Sequence, residues 1–93
     1  MRFSVVVPLY NKENCIRMTL ESVKKQSFKD YEVIVVDDGS TDCSLEEARK
    51  IKSENITIIH QQNQGVSVAR NTGILHAQGQ YIAFLEIGRA SCR

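Results

Sequence analysis

Residues 31–40 read YEVIVVDDGS, and this stretch decides the fold class. Residues 31–36 form a run of strand length that is almost continuously apolar, which is typical of a parallel strand covered by other elements on both faces. The run stops abruptly at residues 37–40, a cluster of polar and turn-forming residues. We therefore expect a buried parallel strand whose carboxyl end carries two adjacent carboxylates.

On either side of this strand, short β-branched or aromatic runs alternate with segments of helical spacing. Four strands are expected, at Phe3–Pro8, Tyr31–Val36, Ile56–His60 and Tyr81–Leu85. Three helices are expected between them. The order β-α-β-α-β-α-β implies right-handed crossovers and a mostly parallel four-stranded sheet with helices on both faces. The sequence thus predicts an α/β fold of three layers, α/β/α, equivalent to half of a nucleotide-binding Rossmann-like domain.

The helix boundaries come from capping and terminating residues. Asn11 is expected to cap the first helix, with Glu13 in its first turn, and that helix is expected to run to about Gln26. Ser44 and Glu47 have capping-box spacing and should open the second helix.

The second helix is expected to end near Ser53. The third helix is expected to carry small and apolar residues along one side, at Val66, Ala69, Gly73 and Ala77. Gly79 should end it.

Length and composition limit the classes of function. The 93 residues suffice for one domain, and 12 basic against 11 acidic side chains give a formal net charge of +1, which supplies no field for binding nucleic acid. No apolar run has the length of a membrane span or a signal peptide. The cysteines, Cys15, Cys43 and Cys92, show no metal-ligand spacing, so we expect free thiols in a reducing cytoplasm.

The carboxyl ends of the predicted strands are where ligands gather in parallel sheets. Asp37 and Asp38 stand at one such end, where two adjacent carboxylates repel each other unless a ligand or a donor compensates. Ligand recognition by one of them and an ordinary turn with a helix cap are both open interpretations. Tyr10 offers a face on which a base can stack, or a core side chain. Arg70 could reach a phosphate, or remain a solvated surface arginine.

Several other kinds of binding site are excluded because their sequence motifs are missing or stand at the wrong position. The chain has no G-x-G-x-x-G after the first strand and no phosphate-binding P-loop motif. The acidic pair follows the second strand rather than the first, unlike a receiver domain, and Gly39 stands at the wrong position for a calcium-binding EF-hand loop. His60 and His76 lack ligand spacing and are not assigned to the site.

Three blocks together carry a family resemblance: SVVVPLYNKENCI, LESVKKQSFKDYEVIVVDDGSTDCS and NQGVSVARNTGILHAQGQYIAFL. In this order and spacing they resemble the N-terminal half of family 2 glycosyltransferases of GT-A fold, over residues 4–85. The resemblance implies a sheet ordered 3-2-1-4. It also implies that this half binds a nucleotide-diphosphate sugar, commonly a UDP-sugar.

The resemblance implies roles for residues around the base. Pro8 and Tyr10 would border the base, and Asp38 would accept a hydrogen bond from the ring N–H of the base. Glu13 would lie near the entrance. Asp37 would brace the loop.

The resemblance also concerns the diphosphate, which Arg70 would approach. The family carries Asp-x-Asp after the fourth strand, where it holds Mn²⁺ or Mg²⁺ against the diphosphate. Here Glu86 could occupy the first position, but Gly88 has no side chain at the third. We therefore expect a broken metal site and no metal bound by this chain alone.

Residues 1–85 are thus interpreted as the donor-nucleotide-binding portion of a glycosyltransferase. Residues 86–93 are either a vector-derived or frame-shifted tail or a natural frayed terminus. The longer parent would transfer a sugar from a UDP-sugar to an acceptor and could be membrane-peripheral, whereas this chain is expected to lack catalysis and carries no assigned catalytic residue.

The alternative to a nucleotide-binding chain is an inert folding unit that binds no nucleotide. A small flavodoxin-like binder ranks last. Exposed sheet edges predict self-association under either interpretation.

Overall fold

The computed structural model describes residues 3–25, 30–51 and 55–87. Within them, four parallel strands form one sheet in the order β3-β2-β1-β4, and three helices connect them. The strands are β1 (Phe3–Leu9), β2 (Tyr31–Asp38), β3 (Ile56–Gln61) and β4 (Tyr81–Phe84). The helices are α1 (Ile16–Lys24), α2 (Ser44–Arg49) and α3 (Val66–His76). The predicted α/β class and the strand order 3-2-1-4 are confirmed.

The two faces of the sheet carry separate apolar cores. Side chains alternate between faces along a strand, so one face of β1 and β2 presents one set of residues to α1 and α2. That core contains Val7, Leu9, Ile16, Leu20, Tyr31, Val33, Val35 and Ala48. On the other face, Ile34 and Val36 of β2 pack with Ala69 of α3. The three-layer arrangement follows from this division.

Strand β2 is buried along its whole length, because it pairs with β1 and β3 and is covered on both faces. It extends two residues beyond the predicted end at Val36. Asp37 and Asp38 remain in the strand because they pair in register with His60 and Gln61 of β3. The extension fixes the direction of both carboxylates, which therefore point to opposite faces of the sheet.

Helix α3 lies very close to β1 at Gly73. A Cβ atom at this position would stand 2.3 Å from Cγ1 of the buried Val6, well inside van der Waals contact. Glycine therefore sets the separation of the helix from the sheet. This separation positions the first turns of α3, which line the cleft described below.

A polar latch, formed by Ser4, Glu32, Gln78 and Gly79, lies at the opposite end of the sheet. The Ser4 hydroxyl donates to Glu32 Oε2 at 2.6 Å, and the backbone N–H of Gln78 donates to the same oxygen at 2.6 Å. The N–H of Gly79 donates to Ser4 Oγ at 2.8 Å. The latch ties the turn before β4 to β1 and β2.

The predicted role of Gly79 as the end of α3 is wrong. The helix ends at His76, and Ala77 already has extended backbone. Gly79 is required for another reason, because a Cβ atom there would lie 2.7 Å from the backbone of Phe3 and Ser4.

The predicted cap of α1 is also wrong. Helix α1 begins at Ile16 after Cys15, and no side chain caps it. Asn11 has a φ of 50° and accepts a hydrogen bond from the N–H of Thr41, so it serves the neighbouring loop instead. Glu13 consequently precedes the helix. The helix ends at Lys24, and the predicted end at Gln26 lies outside the described residues.

The predicted capping box of α2 is wrong for a similar reason. Ser44 is the first residue of the helix and is buried; its hydroxyl donates to Asp42 and accepts from the N–H of Lys12, instead of accepting from an N–H of the helix. Helix α2 ends at Arg49. The predicted end near Ser53 lies outside the described residues.

The cysteines only partly follow the expectation of free thiols. Cys43 is free and exposed, but Cys15 is disulfide-bonded, and Cys92 lies outside the described residues. Sequence spacing carries no information on which thiols a fold brings together, which is why this pattern was not predictable. Among the described residues, no helix is long and apolar enough to cross a membrane.

Candidate functional site

A cleft of about 210 Å³ opens where β1 and β2 end and α3 begins. Its lining combines apolar and polar groups from these three elements and the adjoining loops: Pro8, Leu9, Tyr10, Asp38, Asn63, Gly65, Val66 and Ala69. This is the edge of the sheet at which parallel α/β folds bind ligands. The structure thus brings together three of the sequence-predicted site residues, Pro8, Tyr10 and Asp38.

Asp38 is the buried carboxylate of this cleft, and its oxygens receive three hydrogen bonds. Oδ1 accepts from the Gln61 side-chain amide at 2.9 Å and from the backbone N–H of Gln64 at 2.8 Å. Oδ2 accepts from the backbone N–H of Gly65 at 3.0 Å. A carboxylate can accept about four hydrogen bonds, so Oδ2 keeps one acceptor position that no donor among the described residues occupies.

The protonation state of Asp38 follows from this environment. Burial opposes ionisation, but the hydrogen bonds from Gln61, Gln64 and Gly65 together outweigh it and hold the pKa of Asp38 below its ordinary value. At neutral pH the group is therefore an anion that only accepts hydrogen bonds. Its free position suits a ligand that presents an N–H group.

Tyr10 supplies the aromatic surface of the cleft. Its side chain is 46% exposed, so the core-packing interpretation does not hold. Pro8 lies in β1, two residues before Tyr10, and shares the α3 face of the sheet with Asp38 through the register of β1 and β2. A flat ligand between these groups would contact an aromatic ring and a carboxylate together.

Arg70 lies on α3 one residue beyond the cleft lining. Its guanidinium forms an ion pair with Glu86 and stands 5.9 Å from the centre of the Phe84 ring. With a side chain that is 36% exposed, Arg70 lies at the surface as an ion-paired arginine. A diphosphate that binds Arg70 would compete with Glu86.

Glu13 lies in the β1–α1 loop, which is tied to the β2–α2 loop. Its side chain accepts from the N–H of Cys43 at 3.2 Å, and its own N–H donates to Asp42 at 3.3 Å. Glu13 is not part of the cleft lining. These hydrogen bonds give Glu13 a role in holding the two loops together.

The same pair of loops carries a second carboxylate with a lowered pKa. Burial raises the pKa of Asp42, but hydrogen bonds from the hydroxyl and N–H of Ser44 and from the N–H of Glu13 lower it further than burial raises it. The N–H of Asn11 and that of Lys12 donate to Ser40 and Ser44. The loops therefore form one hydrogen-bonded unit beside the cleft.

Asp37 points to the face opposite to Asp38. Its Oδ2 stands 2.8 Å from Nδ1 of His60, while Oδ1 is buried without a hydrogen-bond partner among the described residues. The contact braces β2 against β3 rather than the following loop. Asp37 does not line the cleft.

Three residues of the site were missed by the sequence interpretation. Gln61 contacts Asp38, Asn63 donates from its side chain to the Asp38 carbonyl at 3.0 Å, and Gly65 has a φ of 99° where the chain enters α3. The block around N-x-G was a usable signal, because Asn and Gly mark loops that position backbone groups. Gln61 begins the segment that follows the third predicted strand, where the topology predicts a ligand-binding loop, but its side chain was not assigned a role.

The described residues contain no group of three His, Cys, Asp or Glu side chains that could hold a metal ion. Glu86, the candidate first ligand, is instead paired with Arg70. Gly88 lies outside the described residues.

Solved structures share the fold of this chain. S. aureus TarS, residues 1–349 in complex with UDP, superposes with a TM-score of 0.86 at 36% identity, over 92% of this chain and 27% of that chain. The mannosyltransferase PcManGT from Pyrobaculum calidifontis, in complex with GDP-Man and Mn²⁺, superposes with a TM-score of 0.86 at 28% identity, over 91% of this chain and 27% of that chain. The GT-A fold is thereby shown.

Sequence comparisons identify the family. Glycosyltransferase GlyA of Streptococcus pneumoniae serotype 4 is 41% identical over 87 residues, which are 91% of this chain and 12% of GlyA. The putative glycosyltransferase EpsH of Bacillus subtilis is 44% identical over 85 residues, 89% of this chain and 25% of EpsH. This chain therefore spans a quarter or less of these relatives. Residues 4–86 match the model of glycosyl transferase family 2, and the chain belongs to that family.

Proposed function

We propose that residues 1–85 form the donor-nucleotide-binding portion of a glycosyltransferase that transfers a sugar from a UDP-sugar to an acceptor. In this proposal, residues 86–93 lie outside that portion. In this proposal the acceptor site and the catalytic base belong to the remainder of the enzyme, and this chain spans a quarter or less of the relatives named above. The chain alone binds the donor and does not catalyse transfer.

The observation that carries this proposal is the ionised Asp38 with one free acceptor position beside the exposed ring of Tyr10. An anion that only accepts hydrogen bonds selects bases with a ring N–H. Uracil presents N3–H, whereas cytosine presents an acceptor at N3, which would face the carboxylate. TarS in complex with UDP, at 36% identity, supports uracil as the base.

The proposal is tested by titrating the chain with UDP and with CDP, followed by NMR. A hydrogen bond to a charged group is worth about 1.5–3 kcal/mol, so we expect UDP to bind at least about tenfold more tightly than CDP. Equal affinity for the two nucleotides would contradict the role of Asp38. No binding of UDP at millimolar concentration would favour the inert folding unit.

Variants of Tyr10 provide a matched pair for the stacking role. Stacking of a base on an aromatic side chain is worth about 1–3 kcal/mol, so Tyr10→Ala should weaken UDP binding at least about fivefold. Tyr10→Phe keeps the ring and should bind UDP like the unmodified chain. An equal loss in both variants would assign the effect to the hydroxyl rather than to stacking.

We further propose that this chain binds UDP without a divalent metal. The ion pair of Glu86 with Arg70 supports this, as does the lack of a three-ligand cluster among the residues described. UDP affinity should therefore be the same with Mn²⁺ and with EDTA. A tightening that requires Mn²⁺ would show that Glu86 contributes to a metal site.

A further inference from the structure

The side chain of Gln61 joins Asp38 to helix α3. Its Nε2 donates to Asp38 Oδ1 at 2.9 Å, and its Oε1 accepts from the Thr72 hydroxyl at 2.7 Å. Gln61 and Asp38 are register partners on adjacent strands, so their side chains leave the sheet on the same face. One side chain therefore connects the cleft carboxylate with the middle of the helix.

The chemistry of these groups fixes the orientation of the Gln61 amide. The ionised Asp38 only accepts, so it must face the NH₂ group of Gln61 and not the carbonyl oxygen. The carbonyl oxygen is thereby turned towards Thr72, whose hydroxyl must donate. The Val68 carbonyl lies 3.0 Å from the same hydroxyl and competes for its single proton.

From this arrangement we propose that Gln61, oriented by Thr72, is a positioning residue for nucleotide recognition. With Gln64 it occupies both acceptor positions of Asp38 Oδ1, so that the carboxylate is held with Oδ2 open for the ring N–H of the base. This inference rests on the proposed nucleotide-binding function. It adds Gln61 and Thr72 to Asp38 in the hydrogen-bonded recognition of the base.

The test compares ligands with and without a base. Gln61→Met keeps the length of the side chain and removes both hydrogen bonds. Thr72→Val keeps the shape and removes only the hydroxyl, and Thr72→Ser restores it. UDP and inorganic pyrophosphate are titrated into each variant under metal-free conditions, because pyrophosphate contains no base.

We expect Gln61→Met and Thr72→Val to weaken UDP binding about fivefold to tenfold, the loss for one hydrogen bond, while pyrophosphate binding stays unchanged. Thr72→Ser should bind UDP like the unmodified chain. UDP affinity unchanged in Gln61→Met would overturn the inference. An equal loss for UDP and pyrophosphate would overturn it too, because Gln61 would then only support the fold.

The inference and the proposed function fail in different ways. If the unmodified chain binds no UDP, the proposed function fails and the inference falls with it. If the unmodified chain binds UDP but the variants bind it equally well, only the inference fails. Thr72→Val replaces only a hydroxyl by a methyl group. If Gln61→Met does not fold, Thr72→Val still tests the inference.

Discussion

The contact of α3 with β1 at Gly73 makes a quantitative prediction for Gly73→Ala. The added Cβ would stand 2.3 Å from Val6 Cγ1, 3.0 Å from Cγ2 and 3.2 Å from Cβ. Rotation of the valine does not relieve the overlap, because both methyl groups and Cβ are close. Val6 is fully buried and cannot move away, so the helix must shift outward.

Two opposing effects determine how much Gly73→Ala changes the free energy of unfolding. Overpacking of a core costs about 1–3 kcal/mol, whereas alanine is better than glycine in a helix by about 1 kcal/mol. Because the overlap with Val6 Cγ1 at 2.3 Å is severe, the steric cost should lie in the upper part of its range, at about 2–3 kcal/mol, which leaves a net loss of about 1–2 kcal/mol in the free energy of unfolding. For a domain of this size, each kcal/mol lowers Tm by about 4–8 °C.

Urea unfolding of four chains provides the assay: the unmodified chain, Gly73→Ala, Val6→Ala and the double variant. The double variant should be more stable than the sum of the single losses predicts, because removal of the valine methyl groups makes room for the new Cβ. Ser67→Ala, at an exposed site of α3, is the control for helix propensity and should be neutral or slightly stabilising. A Gly73→Ala chain as stable as the unmodified one would refute the reasoning.

The remaining predictions concern charge and the sheet edge. Asp38 and Asp42 have lowered pKa values in the folded chain, so their contribution to stability is complete above the ordinary carboxyl value of about 3.9 and is lost as the pH falls through their native values. Urea unfolding should give a lower free energy of unfolding at pH 3 than at pH 6. In Asp42→Asn this difference between the two pH values should be smaller. Glu86→Gln removes the ion pair with Arg70 and should tighten pyrophosphate binding in EDTA up to about fivefold, as expected for an exposed ion pair. The affinity for uridine, which has no phosphate, should not change. Weaker pyrophosphate binding would mean that Glu86 positions Arg70. Strand β4 exposes apolar residues at the sheet edge, so light scattering should detect self-association that Ile82→Lys reduces; a monomer at high micromolar concentration would contradict this.

Much of the fold was predictable because every strand is marked by several residues of the same kind. Each strand carries several apolar residues, and the alternation with helical segments leaves few topologies. The cleft at the carboxyl edge followed from the same topology. Because ligands bind at this edge of a parallel sheet, the sequence already predicted Tyr10 and Asp38 as members of the candidate site.

The predictions that failed depended on single hydrogen bonds or close contacts. Asn11 and Ser44 are good capping residues by type, but their side chains bond the neighbouring loop, which is about 30 residues away in sequence. Gly79 is needed where the chain passes over the first strand, a contact between residues 75 apart. Contacts between residues so far apart leave no pattern in the local sequence. The hydrogen bond of Gln61 with Asp38 is a contact of this kind.

The latch of Ser4, Glu32, Gln78 and Gly79 has a consequence for how the sheet is assembled. Strand β4 has only four residues, all exposed, so apolar packing alone distinguishes its correct alignment from a shifted one only weakly. A slip of one residue would withdraw the N–H groups of Gln78 and Gly79 from their acceptors and leave a buried carboxyl oxygen of Glu32 short of a donor. The latch thus favours the correct alignment of β4 over a shifted one, at the end of the sheet farthest from the cleft.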